Sequence, residues 1–389
     1  MQPLAISAYT LTTAAGAGRA AVGAALAESR CPLTRRERWA LPMPVGEVEG
    51  IDAVSLLPAM RHFDCRNHRL AELALARDGF TEAVARARAR YGAARIGVFA
   101  GTSTSGILET ERAFRGLGED EALPIGHPYA TTHRLSALAT FVSERLELAG
   151  PAISISTACS SSARAFAAAS RHMRLGLCDA AVVAGVDSLC MTTLRGFTSL
   201  QLTADTPCRP FAADRAGLSI GEAAGFALLE REAAGAVRLY GYGESADAHH
   251  MSTPHPQAVG ARLAMRRALA SAGLSPDAVD YVNLHGTATR TNDAVEDVAV
   301  TAELGEVPAS STKGWTGHTL GAAGVVEALI TAFAIERGWA PGTLNTAARD
   351  PAMALNLLTE GQEIPIRRAL SNSFGFGGNN CTLVLGPEE

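Results

Sequence analysis

Short runs of apolar, often β-branched residues alternate along the chain with longer alanine-rich stretches. The runs have the length of buried strands, and the stretches have the length and composition of helices. Strands are predicted at residues 95–100, 152–156, 180–186, 224–229, 280–284 and 381–385. Helices are predicted at residues 160–175, 260–272, 293–304 and 321–337. Because the runs are continuously apolar, the pattern predicts an α/β fold with largely buried sheets.

Two segments of the chain show a weak internal repeat. Residues 151–170 (PAISISTACSSSARAFAAAS) and 311–333 (STKGWTGHTLGAAGVVEALITAF) each pass from a Ser/Thr-rich turn into an apolar helix. Small residues on nearly every face let two such helices lie close together, so we expect both to be central. The pattern predicts two pseudo-duplicated halves, 1–235 and 236–389. Since no low-complexity linker separates them, they should form one rigid body.

Composition narrows the class of protein. Hydrophobic residues make up 47% and charged residues 19% of the 389 residues, which is typical of a globular chain. The net charge of -5 argues against nucleic-acid binding. No segment is long and apolar enough to predict a membrane span, and the opening residues lack the basic start of a signal sequence. A cytoplasmic protein is therefore the expectation.

Cysteine and lysine usage are both informative. The seven cysteines are an odd number without a C-x-x-C pair, which fits neither a disulfide scaffold nor a zinc site, so most should be buried apolar residues. The 34 basic side chains comprise 33 arginines and one lysine, Lys313. Chance survival is one explanation of the single lysine. The other is a position that requires a compact ammonium and excludes a guanidinium.

Cys159 lies between a predicted strand and a predicted helix. The unpaired N–H groups and dipole at a helix start favour negative charge, so this position predicts a thiol with a lowered pKa. Taken alone, the residue would equally fit an inert buried cysteine. The surrounding sequence T-A-C-S-S-S favours the reactive alternative.

Three further motifs accompany this cysteine. His285 begins H-G-T-A-T directly after a predicted strand, and His318 ends T-K-G-W-T-G-H at the start of the second apolar helix. Residues 372–380, N-S-F-G-F-G-G-N-N, predict a shaped loop with exposed N–H groups before the last strand. Each histidine alone could be a core residue, and the glycine loop a simple turn. Together with Cys159 the set exceeds coincidence.

At these four motifs the chain resembles the β-ketoacyl-acyl-carrier-protein synthases, the Cys-His-His condensing enzymes of the thiolase superfamily. Matching stretches also occur at residues 101–106 (GTSTSG), 207–215 (PCRPFAADR) and 317–324 (GHTLGAAG). The resemblance implies a five-layered αβαβα sandwich. It also implies an acyltransferase that condenses an acyl group held on Cys159 with malonyl carrier protein to give a 3-oxoacyl product. No metal or redox cofactor is implied, because the substrates travel on the 4′-phosphopantetheine of an acyl carrier protein.

The resemblance assigns a role to each matching position. Cys159 is the implied nucleophile, His285 and His318 the histidine pair, and Lys313 a supporting group beside His318. The backbone N–H groups of Cys159 and Phe376 would form the oxyanion hole. The remaining implied roles are support of the histidines by Asp293 and Glu296, pantetheine binding by Thr287 and Thr289, and an acyl gate or pocket at Phe376 and Ile107.

The sequence departs from the family pattern at several flanking positions. Asn379 replaces a threonine, R-A-G-L at residues 215–218 replaces R-D-G-F, and Thr291 and Asn292 replace the usual proline and glycine before Asp293. These changes concern substrate shape and leave the reaction class unaffected. The acyl chain length and the pathway, fatty-acid or polyketide, stay open, with a lean toward a secondary pathway such as aryl polyenes.

The same residues bear on other functions and on the partners. A non-catalytic chain-length-factor subunit would lack the nucleophile, and a thiolase would use a second cysteine, for which Cys381 is the candidate. A serine hydrolase on residues 160–162 lacks the G-x-S-x-G motif. Carrier proteins are acidic, so Arg61, Arg66 and Arg69 are candidates for docking. A dimer is expected, formed either with a second copy or with a chain-length-factor partner.

Overall fold

The computed structural model describes residues 1–116, 126–233 and 236–388. Sixteen strands occur in these ranges, and most of those predicted from sequence agree within one or two residues. In chain order they are β1 (Leu4–Thr13), β2 (Gly16–Ala17), β3 (Val45–Gly46), β4 (Ile96–Gly101), β5 (Ala152–Ile155), β6 (Ala180–Asp187), β7 (Ile220–Gly221), β8 (Ala223–Glu230), β9 (Val237–Ala246), β10 (Tyr281–Asn283), β11 (Pro308–Ser310), β12 (Trp339–Ala340), β13 (Asn356–Leu357), β14 (Gln362–Glu363), β15 (Ala369–Gly375) and β16 (Asn379–Pro387).

Eleven α-helices lie in the same ranges, and the four predicted helices are among them. They are α1 (Arg19–Ala27), α2 (Arg66–Leu75), α3 (Phe80–Tyr91), α4 (Ile107–Arg115), α5 (Ser136–Arg145), α6 (Ser161–Arg174), α7 (Met191–Ser199), α8 (Val259–Ala272), α9 (Arg290–Leu304), α10 (Lys313–Thr316) and α11 (Ala323–Arg337). Short 3-10 helices occur at Glu37–Trp39, Ile51–Ala53, Pro58–Phe63, Ala93–Arg95, Pro276–Ala278, Leu320–Ala322 and Phe376–Gly378. None of the described helices has both the length and the apolar character needed to cross a bilayer.

The large sheet has two parts that meet at β1 and β9. The first part runs β5-β4-β6-β8-β1 and the second runs β9-β16-β15-β10-β11-β13. They join where β1 pairs antiparallel with β9, from Leu4 to Ile6. Within each part some neighbouring strands are parallel, including β4 with β6 and β10 with β15. The strands of the first part all end by Glu230 and those of the second begin at Val237. The predicted division at residue 235 lies outside the described residues and stays a prediction.

Helices α6 and α11 pack together between the two parts of the sheet. Helix α6 contacts β4 and β6 of the first part, whereas α11 contacts β8 of the first part and β15 and β16 of the second. A Cβ atom on Gly324 of α11 would lie 2.4 Å from the backbone nitrogen of Ala163 in α6, so only glycine permits this approach. The expectation that small residues allow close packing of these two helices is confirmed.

Further helices cover the outer face of each part of the sheet. Helices α2, α3 and α5 pack against the first part, and α8 packs against β9 and β16 of the second, with α9 beside it. The order is helix, sheet, central helices, sheet, helix. The predicted five-layered αβαβα sandwich is thus confirmed, and the apolar strands owe their continuous burial to helices on both sides.

Candidate active site

Cys159 occupies a tight turn between β5 and α6. The preceding residue, Ala158, has a left-handed backbone with φ of 52°. The turn is held by side chains of the first helical turn, since the Ser161 hydroxyl accepts a hydrogen bond from the Thr157 N–H at 2.9 Å. Cys159 is 4% exposed and lines a cavity of about 440 Å³. The strand and helix therefore aim a buried sulfur into an enclosed space.

Three N–H groups surround the Cys159 sulfur. The Nε2 atom of His318 lies 3.0 Å from Sγ, and the backbone N–H groups of Phe376 and of Cys159 itself also point at the sulfur. The loop that carries Phe376 comes close because Gly375 has no side chain, and a Cβ there would lie 2.8 Å from the Thr157 carbonyl oxygen. This arrangement brings together both N–H groups predicted to form an oxyanion hole.

The resting charge of Cys159 differs from the sequence prediction. Burial raises the pKa of the thiol to about 11, although the nearby Lys313 ammonium and the backbone N–H groups act in the opposite direction. A helix start was expected to lower the pKa, and for the free site that expectation is wrong. The reason is desolvation, which penalises a buried thiolate more than its donors compensate. In the free site the balance of these effects favours the neutral thiol.

His285 and His318 face each other with ring centroids 5.3 Å apart at nearly a right angle. The Nδ1 atom of His318 accepts a hydrogen bond from the Leu320 N–H at 3.3 Å, and the Nδ1 atom of His285 faces the Lys313 ammonium at 3.3 Å. Burial and the positive charge of Lys313 hold the pKa of both rings well below 6.5. Each ring is therefore neutral, with its single proton on Nε2.

The ligand atoms of Cys159, His285 and His318 lie within 4.8 Å of one another, which is a spacing suited to a metal ion. Coordination through Nε2 would require each ring to carry its proton on Nδ1. Both Nδ1 atoms face hydrogen-bond donors, so that tautomer is disfavoured. The cluster is thus arranged to donate N–H groups and not to bind a metal.

Lys313 is fully buried at the centre of the site. Its ammonium group contacts the Nδ1 atom and backbone carbonyl of His285 and forms an ion pair with Glu327 of α11. The resemblance placed Lys313 beside His318, but its direct contacts are with His285. A branched guanidinium in this position would have to displace Glu327 or the imidazole, which accounts for the one lysine in an arginine-rich chain.

Glu327 is a site residue that the sequence interpretation missed. Its signal was an acid within the otherwise apolar stretch of residues 320–335. Burial raises the pKa of Glu327 to about 7, although the Lys313 ammonium acts to lower it. Glu327 is the carboxylate that balances the buried lysine.

We expect Lys313→Met to destabilise the protein by about 3–5 kcal/mol, because Glu327 is left buried without its cation. The loss should be larger at pH 8 than at pH 6, since the unpaired Glu327 must then be protonated to stay buried. Urea unfolding followed by circular dichroism measures this. The double variant Lys313→Met/Glu327→Leu should recover most of the loss, and an equal loss in both variants would contradict the pairing.

Glu296 and Asp293 support the histidine loop through its backbone. Glu296 accepts hydrogen bonds from the N–H groups of His285 and Gly286 at 2.8 and 2.7 Å. Asp293 accepts from the N–H groups of Phe211 and Ala288 at 2.8 and 3.2 Å. Burial raises the pKa of Glu296 to about 7 and that of Asp293 to about 6. Neither carboxylate touches an imidazole ring, so both stabilise the position of the loop that carries His285 through its backbone.

The remaining predicted cavity residues fall into two groups. Thr287 and Thr289 line the cavity with their hydroxyl oxygens 2.9 Å apart, and Phe376 lines it while stacking on Phe197 at 5.5 Å. Ile107 does not line this cavity. It lines a separate open cleft together with Ser103, Thr104, Tyr129, His133, Arg134, Leu135 and Ser136. The pantetheine and gate positions are thus brought to the sulfur, whereas the predicted pocket position at Ile107 is not.

Several residues at which the sequence departs from the family pattern lie in the cavity wall. Ala216, Leu218, Thr291 and Asn292 all line the space that holds Cys159. Cys381, by contrast, is fully buried in β16 and does not line the cavity. It behaves as the predicted apolar residue and is not placed to act as the second cysteine of a thiolase.

Asp187 is a second residue that the sequence interpretation missed. It lies at the end of β6 and accepts hydrogen bonds from the Thr104 and Gly321 N–H groups at 2.9 and 2.6 Å, and from the Thr102 hydroxyl. These bonds tie the loop after β4 to the segment just beyond His318. Nothing in the local sequence marks this aspartate, because its partners come from two distant segments.

The prediction that Arg61, Arg66 and Arg69 form one basic docking surface is wrong. Arg66 is buried and forms ion pairs with Glu222, Glu47 and Asp52. Arg69 donates two hydrogen bonds of 2.6 Å to Asp64, and this carboxylate offsets the positive charge of Arg69. Only Arg61 of the three is exposed and outside any ion pair among the described residues, so its role in docking stays a prediction.

The chain matches two protein-family models and several solved structures. Residues 56–234 match the N-terminal domain of β-ketoacyl synthases, and residues 236–347 match the C-terminal domain. A ketosynthase from Xenorhabdus doucetiae, solved in complex with its chain length factor, is 38% identical with a TM-score of 0.92 over 100% of this chain and 98% of that one. A β-ketoacyl synthase from Burkholderia phymatum is 29% identical with a TM-score of 0.90, over 100% of both chains.

Curated relatives agree with these matches. The 3-oxoacyl-[acyl-carrier-protein] synthase 2 of Coxiella burnetii is 35% identical across 75% of this chain and 75% of its own length. The mitochondrial 3-oxoacyl-[acyl-carrier-protein] synthase of Arabidopsis thaliana is 40% identical across 63% of this chain, a match that spans 58% of the plant protein. Nodulation protein E of Rhizobium meliloti is 36% identical across 75% of this chain and 76% of its own length. The chain belongs to the β-ketoacyl synthase family.

Proposed function

We propose that this chain is a 3-oxoacyl-[acyl-carrier-protein] synthase, which lengthens an acyl chain by decarboxylative condensation with a malonyl thioester. The observation that carries the proposal is the convergence of the Cys159 sulfur, two neutral imidazoles and two backbone N–H groups in one buried cavity. A thiolate is both a good nucleophile and a good leaving group, and N–H donors in a dry pocket stabilise developing oxyanions.

The first half-reaction loads the enzyme. Cys159 loses its proton and attacks the carbonyl carbon of an acyl carrier thioester, and the backbone N–H groups of Cys159 and Phe376 hold the resulting oxyanion. The tetrahedral intermediate then collapses, the C–S bond to the carrier breaks, and the carrier sulfur leaves as a thiol with the proton that Cys159 gave up. The acyl group is now a thioester of Cys159.

The second half-reaction extends the chain. A malonyl thioester loses carbon dioxide, and the electron pair of the broken C–C bond becomes an enolate whose oxygen accepts hydrogen bonds from Nε2–H of His285 and His318. The enolate carbon attacks the Cys159 thioester, and the sulfur leaves. Lys313 keeps both rings neutral in this scheme, so that they act as donors at Nε2. Every step uses side chains and backbone of the protein and needs no metal or redox cofactor.

We further propose that the protein works as a dimer formed through β5. This strand is the end of the first half-sheet, pairs only with β4 among the described strands, and leaves Ile153 and Ile155 half exposed. An open apolar strand edge is a template for a second chain. The Xenorhabdus doucetiae relative is solved with its chain length factor, so the partner is either a second copy or such a subunit.

Reconstitution tests the proposed reaction. The purified protein, alone and co-expressed with a candidate partner subunit, is incubated with acyl and malonyl carrier protein, and products are followed by intact-protein mass spectrometry. We expect one acyl mass on the enzyme and a carrier product longer by two carbons with a 3-oxo group. Acylation without any condensed product under every partner combination would contradict the proposal.

A further inference from the structure

Arg290 is the one lysine or arginine among the described residues that line the Cys159 cavity. It is exposed at the cavity rim, whereas Cys159 lies buried at the inner end. The single carboxylate in the same lining, Asp247, already accepts hydrogen bonds from the Asn380 side chain at 2.8 Å and the His255 N–H at 3.1 Å. The rim therefore presents one cation, and the one acid of the lining forms no ion pair with it among the described residues.

The Arg290 guanidinium is unpaired within the described parts of the chain. No described carboxylate lies within 4.0 Å of it, and its side chain forms no hydrogen bond there. Its backbone is nevertheless fixed, because the Arg290 carbonyl accepts a hydrogen bond from the buried Arg215 at 3.3 Å, and Arg215 is held in turn by Asp350 at 2.8 Å. The backbone of Arg290 is held while its guanidinium has no acid partner among the described residues, so the side chain is available to an anion from outside the chain.

Exposure falls along the segment that joins this cation to the site, since Arg290 is exposed, Thr289 is half-buried and Thr287 is buried. Thr287 and Thr289 lie between Arg290 and His285 in the chain, and both line the cavity. A ligand that spans rim and sulfur would meet the guanidinium first, two hydroxyl groups next and the thiol last. This order matches an arm with a phosphate at its outer end, amides in the middle and a thioester at its tip.

We infer that Arg290 binds the phosphate of the phosphopantetheine arm that delivers both substrates. The inference rests on the proposed function and adds a residue to it. Guanidinium groups bind phosphate oxygens through paired, charge-assisted hydrogen bonds. Arg290 is a positioning residue: it holds the outer end of the arm so that the thioester reaches Cys159, and it does not touch the reacting atoms.

Binding calorimetry on the full-length protein under reducing conditions tests the inference without any chemical step. The ligands are 4′-phosphopantetheine and pantetheine, which differ by the phosphate alone. The wild type should bind the phosphorylated ligand about tenfold more tightly, at the lower end of values for hydrogen bonds to charged groups because the rim is exposed. Arg290→Ala and Arg290→Gln should both abolish the difference, and Arg290→Lys should keep part of it.

Arg86→Ala is the matched control, since Arg86 is an exposed arginine outside any ion pair among the described residues, on the outer helix α3. It should leave the preference for phosphate unchanged. Equal affinity of the wild type for the two ligands would overturn the inference, as would a preference that survives in both Arg290→Ala and Arg290→Gln. These outcomes stand whether or not the protein condenses malonyl units.

A kinetic measurement separates the inference from the proposed function. Acyl transfer to Cys159 is followed from acyl phosphopantetheine, acyl pantetheine and acyl carrier protein. Arg290→Ala should raise KM about tenfold for the two phosphorylated donors and leave kcat and the pantetheine donor unchanged. An equal loss with all three donors would overturn the inference. Absence of transfer in the wild type would count against the proposed function alone.

Discussion

Replacement of Cys159 by alanine is expected to remove the acyl-enzyme and to lower condensation by roughly four orders of magnitude or more. The reason is that no other described nucleophile occupies the cavity with N–H donors around it. Intact-protein mass spectrometry after incubation with acyl carrier protein should show the acyl mass on the wild type and none on Cys159→Ala. Product formation from malonyl carrier protein is measured in parallel.

Two buried cysteines serve as matched controls. Cys208→Ala and Cys381→Ala each remove a buried thiol whose pKa burial also raises, but neither residue lines the cavity. Both variants should keep the acyl mass. Cys159→Ala should also retain release of carbon dioxide from malonyl carrier protein, because the two imidazoles remain. Normal acylation of Cys159→Ala would refute its assigned role.

Replacement of His285 or His318 by alanine is expected to slow the decarboxylation of malonyl carrier protein by about two to three orders of magnitude. Each imidazole donates one N–H group to the developing enolate, and loss of one such donor typically lowers kcat by about 100- to 1000-fold. Release of labelled carbon dioxide measures the step directly. Acylation of Cys159 should persist in His285→Ala, since that ring does not contact the sulfur among the described hydrogen bonds.

The pH dependence distinguishes neutral from charged imidazoles in this step. Because the pKa of both rings lies well below 6.5, they stay neutral at every pH above that value. The imidazoles themselves should therefore contribute no change in the decarboxylation rate between pH 6.5 and 8, although the buried Glu296 and Glu327, with pKa values of about 7, titrate in this range. A rate that fell as the pH rose in Glu296→Gln and Glu327→Gln as well as in the wild type would indicate a catalytic imidazolium and would contradict the assignment.

Local sequence determined the elements of the fold and the reacting groups. Apolar runs and alanine-rich stretches predicted the main strands and helices, because the spacing of buried positions depends on the geometry of each element alone. The motifs around Cys159, His285 and His318 could be found for a similar reason, since each combines a reactive side chain with the small residues of its own turn. The single lysine among 34 basic residues indicated from sequence alone a position that requires an ammonium group.

The tertiary structure alone decided how these groups are charged and held. Glu327 and Asp187 lie far along the chain from the groups that they hold, and the thiol pKa of Cys159 depends on burial by several segments at once. From sequence Arg66 looked like a surface cation, but in the structure it is enclosed by Glu222 and Glu47. Arg290 is distinctive because no acid among the described residues pairs with it. Desolvation and charge pairing depend on residues that are far apart in the chain and meet only in the fold. Periodicity and local motifs therefore cannot predict the pKa or the partner of a buried group.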